Sequence, residues 1–385
     1  MKTKSNWNSR IALVCALSGV ALAAQPARAV TLEQKWLAGQ QLNYDMTMNG
    51  TLTIDTDAGA PVLWAGLPLE VLLKGSGQVA LDTRKVDENG AGLVALKLPS
   101  FKVTGSAWEQ NVVLDILDGQ PKFSFNGKDM TGPQDKRPNL QFLVEPTYGL
   151  QISRLGRVER AVPLVEEVEK KDNATTGAND AKNSPGAPIN VAGLMRSAFF
   201  QMLPAPWPAH EVEIGDTWTI VSRLPIPAAK TDEDKTEAAN ADDAKTDEAA
   251  PAPAFQVLEL GKFDMTLKGE ETLDGKKALR VGVVGTLSLD AAKAKILNKA
   301  AGNKAGGNKV SSATQKISGD LWFDANAGQF VKAALVLKGQ MKGVGGTPAK
   351  GAEKAKTWGS TQSFYGNIGL KLKNVTMANE VPKAP

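Results

Sequence analysis

The amino-acid sequence predicts a mainly β protein made of antiparallel curved sheets in two β-rich halves, and three observations carry that prediction. Most of the chain alternates aromatic and branched residues with polar ones, the period-2 pattern of half-buried strands. Gly residues and Asn-Gly pairs separate these segments, as hairpin turns require. A single convincing helical period, near residues 190–203, interrupts the strands. The remaining segments are charged inserts that we expect to be disordered.

Residues 1–29 predict a cleavable signal peptide. Three basic residues precede an uncharged apolar run at residues 11–24, and Ala27 and Ala29 occupy the two positions that signal peptidase reads. The run is shorter than the roughly 20 residues of a membrane-spanning helix, and no later segment approaches that length. We therefore expect an exported protein, periplasmic or extracellular, with no transmembrane segment in its mature chain.

Removal of this leader changes what the composition means. It takes away Cys15, the only cysteine, and four of the 45 basic residues, which leaves 41 basic against 41 acidic residues. A thiol-free chain with one histidine, His210, excludes disulfides, cysteine nucleophiles and zinc sites built from His and Cys. We expect no cofactor, no metal and no nucleic-acid partner.

The charges of the mature chain are unevenly distributed. Residues 291–385 contain fifteen lysines and only four acidic residues. A basic surface for anionic lipid or polysaccharide would have this composition. The lysines are scattered among Gly, Ala and Asn, however, so we favour exposed loops and edge strands, where lysine deters edge-to-edge pairing.

Residues 30–165 predict an N-terminal antiparallel β unit. Its first strand, within residues 42–55, alternates in polarity. Residues 77–86 and 93–103 read as a hairpin around Asn89-Gly90, a pair that supplies the positive φ angles of a tight turn. Residues 166–188 are charged and poor in apolar groups, and they predict a disordered linker.

Residues 189–385 predict a helix followed by a C-terminal β unit. The apolar stripe of the helix consists of Val191, Leu194, Met195, Ala198, Phe199 and Met202. Leu194, Met195, Phe199 and Met202 are candidate contacts for an apolar ligand, although such a stripe commonly packs on a sheet. A shorter helix is predicted at residues 290–299.

Three segments of this unit predict irregular structure. The insert at residues 227–253 holds eight acidic residues and three lysines among Ala, Thr and Pro, so it predicts a disordered loop. The Gly- and Lys-rich stretches at 302–311 and 342–359 predict hairpin loops.

One short motif lies between the predicted helix and the sheet, at Gly215-Asp216-Thr217-Trp218. Glycine permits a turn, aspartate can bond the local backbone, and an inward tryptophan anchors the strand that follows. We interpret Gly215, Asp216 and Trp218 as fold determinants first, and as a binding site only secondarily.

Together with two other short patterns, this motif resembles a group of exported bacterial envelope proteins of unknown function, many of them lipoproteins. The shared residues are Trp36, Gly39, Leu42 and Tyr44 early in the chain, Gly215, Asp216 and Trp218 in the middle, and Trp322, Phe323, Asp324 and Gly328 late in it. The resemblance implies an envelope protein built on antiparallel sheets and implies no activity. This chain departs from the group because bulky Val14 precedes Cys15, where a lipoprotein needs a small residue, and because its charged inserts are long.

No catalytic constellation is visible in the sequence. His210 stands alone, and no glycine-rich segment has the spacing of a phosphate loop or of a nucleophile elbow. Our first hypothesis is a non-catalytic exported protein that binds an apolar or amphiphilic envelope component. The alternative is a structural or interaction module of the cell envelope or surface. A carboxylate-based hydrolase of envelope polymers is the third, because two acids at a suitable separation suffice for glycoside hydrolysis.

Overall fold

The computed structural model of the chain describes residues 29–58, 60, 66–107, 110–117, 120–129, 148–164, 207–227, 255–300, 309–347 and 356–377. The strands in these ranges are β1 (Gln40–Thr56), β2 (Leu69–Val86), β3 (Gly92–Ala107), β4 (Gln110–Leu117), β5 (Gln120–Phe125), β6 (Lys128–Asp129), β7 (Tyr148–Ile152), β8 (Val158–Pro163), β9 (Thr217–Pro227), β10 (Phe255–Leu273), β11 (Lys276–Leu289), β12 (Lys309–Asp324), β13 (Gln329–Thr347) and β14 (Lys356–Met377). The helix in these ranges is α1 (Ala291–Ala300). The prediction of a mainly β, antiparallel protein is confirmed.

A single open antiparallel sheet contains all of these strands. Its order is β6-β5-β4-β3-β2-β1-β14-β13-β12-β11-β10-β9, while β7 pairs with β3 and β8 pairs with β7. The first and last long strands, β1 and β14, pair along the whole of β1, from Gln40 opposite Met377 to Thr56 opposite Ser360. Strands from both β-rich halves therefore form one continuous surface.

Tight turns join neighbouring strands. Asn126-Gly127 connects β5 to β6, and Asp274-Gly275 connects β10 to β11. Both residues of each pair have positive φ, 48° and 77° in the first and 50° and 81° in the second. Two consecutive positive φ angles define the type I′ turn, whose twist matches that of antiparallel strands.

The hairpin predicted around Asn89-Gly90 is confirmed as β2 and β3. Its turn differs from the expected one, because Gly90 alone of the pair has positive φ, at 77°. The Asp87 carboxylate organises the turn instead, since it accepts hydrogen bonds from the backbone N–H groups of Asn89 at 3.0 Å and Ala91 at 2.9 Å.

The sheet has one apolar and one polar face. We call the face that carries Tyr44, Met46 and Met48 of β1 the inner face and the opposite one the outer face. Strand pairing continues the Met48 position across the sheet as the row Met48, Ile368, Leu335, Gly319, Val283, Met265 and Trp218. Most of these side chains are buried. The inner face forms one hydrophobic core.

This core is buried because the sheet curls. The backbone N–H of Trp207, just before β9, donates to the carbonyl of Leu155, in the β7–β8 turn, at 2.6 Å. Those two residues belong to opposite sides of the sheet order, so the sheet bends until its two sides approach each other. The inner face is therefore concave, as a predicted curved sheet requires.

Helix α1 confirms the helix predicted at residues 290–299. Asp290 caps it, because its carboxylate accepts a hydrogen bond from the backbone N–H of Lys293 at 2.9 Å. Ala294 is buried against the sheet, and the Asn298 amide donates to the carbonyl of Val310 at 2.7 Å. We call this end of the inner face the α1 end and the other, where β1 begins, the Trp207 end.

Two predictions for the C-terminal unit are wrong in part. The Gly- and Lys-rich stretches extend strands that were expected to end sooner, since β12 begins at Lys309 and Thr347 of β13 pairs with Lys356 of β14. Glycine-rich backbone is paired here because its neighbours in the ladder supply the hydrogen bonds. Several lysines that we expected on edges and loops lie on interior strands instead, namely Lys316, Lys332, Lys338 and Lys371.

Other predicted segments lie outside the described residues. They are the leader, apart from its last residue, the linker at 166–188, the helix near 190–203, and the acidic insert, apart from Pro227 at the end of β9.

Candidate functional site

The concave inner face is the candidate functional site, and its Trp207 end is closed by aromatic side chains. Trp207 is 1% exposed, and its ring centroid lies 4.8 Å from that of Phe323, 5.3 Å from Phe330 and 6.3 Å from Trp218. The Tyr44 hydroxyl donates to the Phe330 carbonyl at 3.1 Å, and burial raises the pKa of this phenol. These rings form a filled core rather than a space for a ligand.

The segment before β1 seals the same end. Val30 pairs with Val212 ahead of β9, and Leu32 is fully buried. The backbone N–H of Lys35 donates to the carbonyl of Gly328 at 3.0 Å. Trp36 lies over Gly92 and is 8% exposed. The segment before β1 therefore contacts the residues ahead of β9, the β12–β13 turn and the start of β3.

The Gly215–Asp216–Trp218 motif lies at the start of β9. Gly215 has a φ of 101°, and its N–H donates to the carbonyl of Leu267 at 2.7 Å. The Asp216 carboxylate accepts a hydrogen bond from the backbone N–H of Glu213 at 2.8 Å. The Asp216 carbonyl accepts one from the backbone N–H of Leu267 at 3.0 Å. Trp218 then takes its place on the inner face beside Trp207. The motif thus starts the β9–β10 pairing and directs an indole ring inward.

The α1 end of the inner face differs from the Trp207 end. A row of five half-buried residues, which we call the strip, crosses from β2 to β12: Val71, Leu52, Phe364, Gly339 and Gln315. The next row towards α1 is mixed: Met341 and Ala313 are half-buried, whereas Ile54, Gln362 and Leu289 are buried. Towards the Trp207 end, by contrast, Met46, Met265 and Leu267 are at most 1% exposed. The apolar face is therefore partly accessible along the strip.

Glycines shape this surface. Gly50 and Gly366 are cross-strand partners on the inner face, and the Phe364 ring lies across both. A methyl group added to Gly366 would lie 2.7 Å from Phe364 Cζ, and one added to Gly50 would lie 3.0 Å from Phe364 Cε2. Glycine in a strand often marks a close approach of backbone or ligand, and here an aromatic ring takes that space.

Buried polar groups are interspersed with the apolar ones near the α1 end. Ser222 on β9 is 7% exposed, and Thr56 at the end of β1 is also 7% exposed. Neither Ser222 Oγ nor Thr56 Oγ1 has a hydrogen-bond partner among the described residues. Gln362, on the row next to the strip, is 6% exposed. A buried polar atom without a partner costs free energy unless water or a ligand satisfies it.

On the outer face, a cluster of ionised groups surrounds Trp322. Arg280 pairs with Glu271 at 2.8 Å and with Asp320 at 2.6 Å, and Lys268 also pairs with Asp320 at 2.6 Å. The Trp322 indole donates to Glu271 at 2.8 Å, and the Lys332 ammonium lies 4.5 Å from the Trp322 ring centroid. This network holds the tryptophan against the sheet.

The carboxylates of this cluster are held ionised. Hydrogen bonds from Trp322 and then Arg280 lower the pKa of Glu271. Desolvation opposes ionisation of Asp320, but hydrogen bonds from Arg280 and Lys268 outweigh it and lower its pKa. The same ion pairs raise the pKa of Arg280. A general acid needs a raised carboxyl pKa, so the pair Glu271 and Asp320 does not fit that role.

The predicted site residues are only partly placed. Leu194, Met195, Phe199 and Met202 lie outside the described residues, whereas Gly215, Asp216 and Trp218 lie together at the start of β9. His210 is exposed. The strip was not predicted, because its members are separated by up to 312 positions and only strand pairing brings them together.

Within the described ranges, no group of three or more His, Cys, Asp or Glu side chains could hold a metal ion. No helix in that part of the chain has the length and apolar character to cross a membrane.

Comparison with known proteins gives no family for the chain. No family model matches it, and no curated protein is significantly similar to it. Among solved structures, the crystal structure of Pseudomonas aeruginosa OpdQ aligns with 87% of this chain and 98% of its own, at 9% sequence identity and a TM-score of 0.12. Similarity at that level supports no conclusion about the fold or the activity of this chain.

Proposed function

We propose that the protein is an exported, non-catalytic binder of an apolar or amphiphilic envelope component, and that the ligand lies on the inner face near α1. One observation carries the proposal: the apolar inner face is sealed at the Trp207 end and is only half-buried along the strip. Water-excluding, mainly apolar concave surfaces with a few polar groups are typical of small-molecule sites.

The polar groups near α1 indicate which kind of ligand fits. Ser222 Oγ and Thr56 Oγ1 are uncharged and lack partners among the described residues. An amphiphile whose apolar part lies along Leu52 and Phe364 reaches the Thr56 hydroxyl, on the same strand as Leu52, with its polar end. Burial of apolar surface supplies about 25 cal/mol per Å², so an acyl chain on this strip contributes most of the binding free energy.

Binding is tested with a fluorescent fatty acid and a pair of matched variants. Ala313 points to the inner face next to the strip, and its neighbour Thr314 points to the outer face and is exposed. Ala313→Phe fills the proposed site, so we expect it to weaken probe binding at least tenfold. Thr314→Phe adds the same ring to the opposite face and should leave binding unchanged.

The same variants distinguish a binding site from a packed core. Overpacking a filled core costs about 1–3 kcal/mol, so a destabilised Ala313→Phe in a protein that binds no probe would contradict the proposal. Equal probe binding by wild type and Ala313→Phe would also contradict it. Mass spectrometry of lipids that co-purify with the mature protein then identifies the natural ligand class.

A further inference from the structure

Four of the lysines expected on edges and loops lie on strands in the interior of the sheet, where protection of an edge cannot explain them. The interior strands β12, β13 and β14 carry Lys316, Lys332, Lys338 and Lys371. The ends of the sheet are β6 and β9. Protection of an edge therefore does not account for these cations on the outer face.

Two pairs of these lysines are direct cross-strand partners. Lys316 of β12 lies opposite Lys338 of β13, and Lys332 of β13 lies opposite Lys371 of β14. Like charges directly opposite each other destabilise a sheet. Lys371 is compensated by Asp274 at 3.0 Å, and Lys332 lies over Trp322. Lys316 and Lys338 are exposed and form no ion pair with any described residue.

Strand pairing places this uncompensated pair in a longer row. The row, which we call the lysine row, runs across seven strands from β10 to β2: Lys262, Thr286, Lys316, Lys338, Tyr365, Thr51 and Leu72. It contains three lysines and no acidic residue. Lys262 also forms no ion pair with any residue in the described ranges.

Exposed apolar side chains accompany these cations on the same face. Tyr365 is 59% exposed and Leu72 is 54% exposed, both in the lysine row. Val284, in the adjacent row opposite Asp264, is 63% exposed. A surface that combines lysines with exposed aromatic and aliphatic groups fits a lipid headgroup region better than a polysaccharide, which offers no apolar phase.

We infer that the outer face along the lysine row docks the protein on a bilayer that contains anionic lipids. The lysines lie near lipid phosphates, and Val284, Tyr365 and Leu72 enter the headgroup layer. The inner face remains directed away from the bilayer, so this docking surface is separate from the proposed ligand site and stands whether or not that site binds a ligand.

Vesicle sedimentation of the intact mature protein tests the inference. The vesicles contain phosphatidylcholine alone, or phosphatidylcholine with phosphatidylglycerol as a substantial minor component. We expect binding only to the anionic vesicles and a marked loss of binding at high salt, because exposed charges are screened. Each basic residue near an anionic surface contributes about 1 kcal/mol, so the double variant Lys316→Gln/Lys338→Gln should bind about 25-fold more weakly.

A matched control removes the same charge elsewhere. Lys122 of β5 and Lys128 of β6 are exposed at the far side of the sheet, and Lys122→Gln/Lys128→Gln should bind like wild type. The Gln substitutions relieve repulsion between Lys316 and Lys338, so thermal unfolding should show an intact fold. Equal effects of the two double variants, or equal binding to neutral vesicles, would overturn the inference.

The apolar residues separate a bilayer from a soluble polyanion. Leu72→Ser should weaken vesicle binding at least about threefold and leave binding to polygalacturonate unchanged. If the wild type binds polygalacturonate as tightly as anionic vesicles and Leu72→Ser changes neither, the surface binds an anionic polysaccharide and the bilayer inference is wrong.

Discussion

Phe263 of β10 lies against Gly285, its cross-strand partner on β11, so closely that the phenyl ring occupies the place where a Cβ would be. The same relationship recurs between Trp358 and Gly345, and the Phe101 ring lies 3.0 Å from the place of a Cβ at Gly77. In each pair an aromatic ring covers a glycine that has no side chain of its own. These pairs let the sheet curve tightly while its inner face stays apolar.

Substitution of Gly285 tests this arrangement. In Gly285→Ala the new methyl group would overlap the Phe263 ring and lie 2.5 Å from the Lys262 carbonyl oxygen, so backbone must shift. We expect a loss of about 2–3 kcal/mol in the free energy of unfolding, measured by urea denaturation. Thr286→Ala, on the exposed outer face of the same strand, should change it by less than about 0.5 kcal/mol. A Gly285→Ala protein as stable as wild type would show that the close contact is not structural.

The Asp216 carboxylate should contribute to stability through its hydrogen bond to the Glu213 N–H. Loss of such a side-chain cap typically costs about 1 kcal/mol, so Asp216→Ala should lower the free energy of unfolding by that amount. Asp216→Asn keeps an oxygen acceptor of the same reach and should retain most of the stability. If the two variants are equally destabilised, the charge rather than the hydrogen bond matters.

Trp207 gives a separate measure of the aromatic cluster. Trp207→Ala removes a buried ring that contacts three others, and we expect a loss of about 3–5 kcal/mol in calorimetric or urea unfolding. Trp207→Phe should cost clearly less, because the indole Nε1 that it removes is buried without a hydrogen-bond partner among the described residues. Equal losses in the two variants would indicate that the indole N–H does have an acceptor.

These relationships mark the limit of what the sequence could predict. The alternation of Tyr44, Met46 and Met48 predicted a strand with one apolar face, and that is confirmed. The partner of this strand is β14, more than 300 residues away, and pairing at such separation leaves no local signal in the chain. The strip and the lysine row depend on that pairing. Residue composition could show that lysines are abundant after residue 290, but not that Lys316 faces Lys338.

Glycines caused the other errors. The Gly- and Lys-rich stretches were expected to be loops, because glycine favours turns and weakens isolated strands. In the sheet, Gly345 pairs with Trp358 and is covered by it. A cross-strand aromatic residue supplies the packing that glycine lacks, and this compensation can be recognised only when the partner is known.

The ion-pair cluster around Trp322 predicts how stability depends on pH. Glu271 and Asp320 have ordinary pKa values of 4.5 and 3.8, and both values are lowered in the folded protein. Their stabilising contribution is therefore present above the ordinary values and is lost as pH falls through the folded ones. We expect the urea midpoint of unfolding to decrease as the pH is lowered below about 4.5. This decrease should be shallower in Asp320→Asn. Trp322→Phe removes the largest cause of the Glu271 shift and should flatten the same profile to a smaller extent. Identical profiles in all three proteins would contradict the assignment.

The opposition of Lys316 and Lys338 should reduce stability in a way that salt can relieve. Cross-strand pairs change stability by about 0.2–1 kcal/mol, so Lys338→Gln should raise the free energy of unfolding by a few tenths of a kcal/mol at low salt. The gain should disappear at high salt, where the repulsion between exposed ammonium groups is screened. Lys342, four residues further along β13, lies opposite the uncharged Ser312 and Thr361. Lys342→Gln should therefore give no gain at either salt concentration. If both variants gain equally, the effect belongs to net charge, and the Lys316–Lys338 pair carries no strain that an anionic surface could relieve.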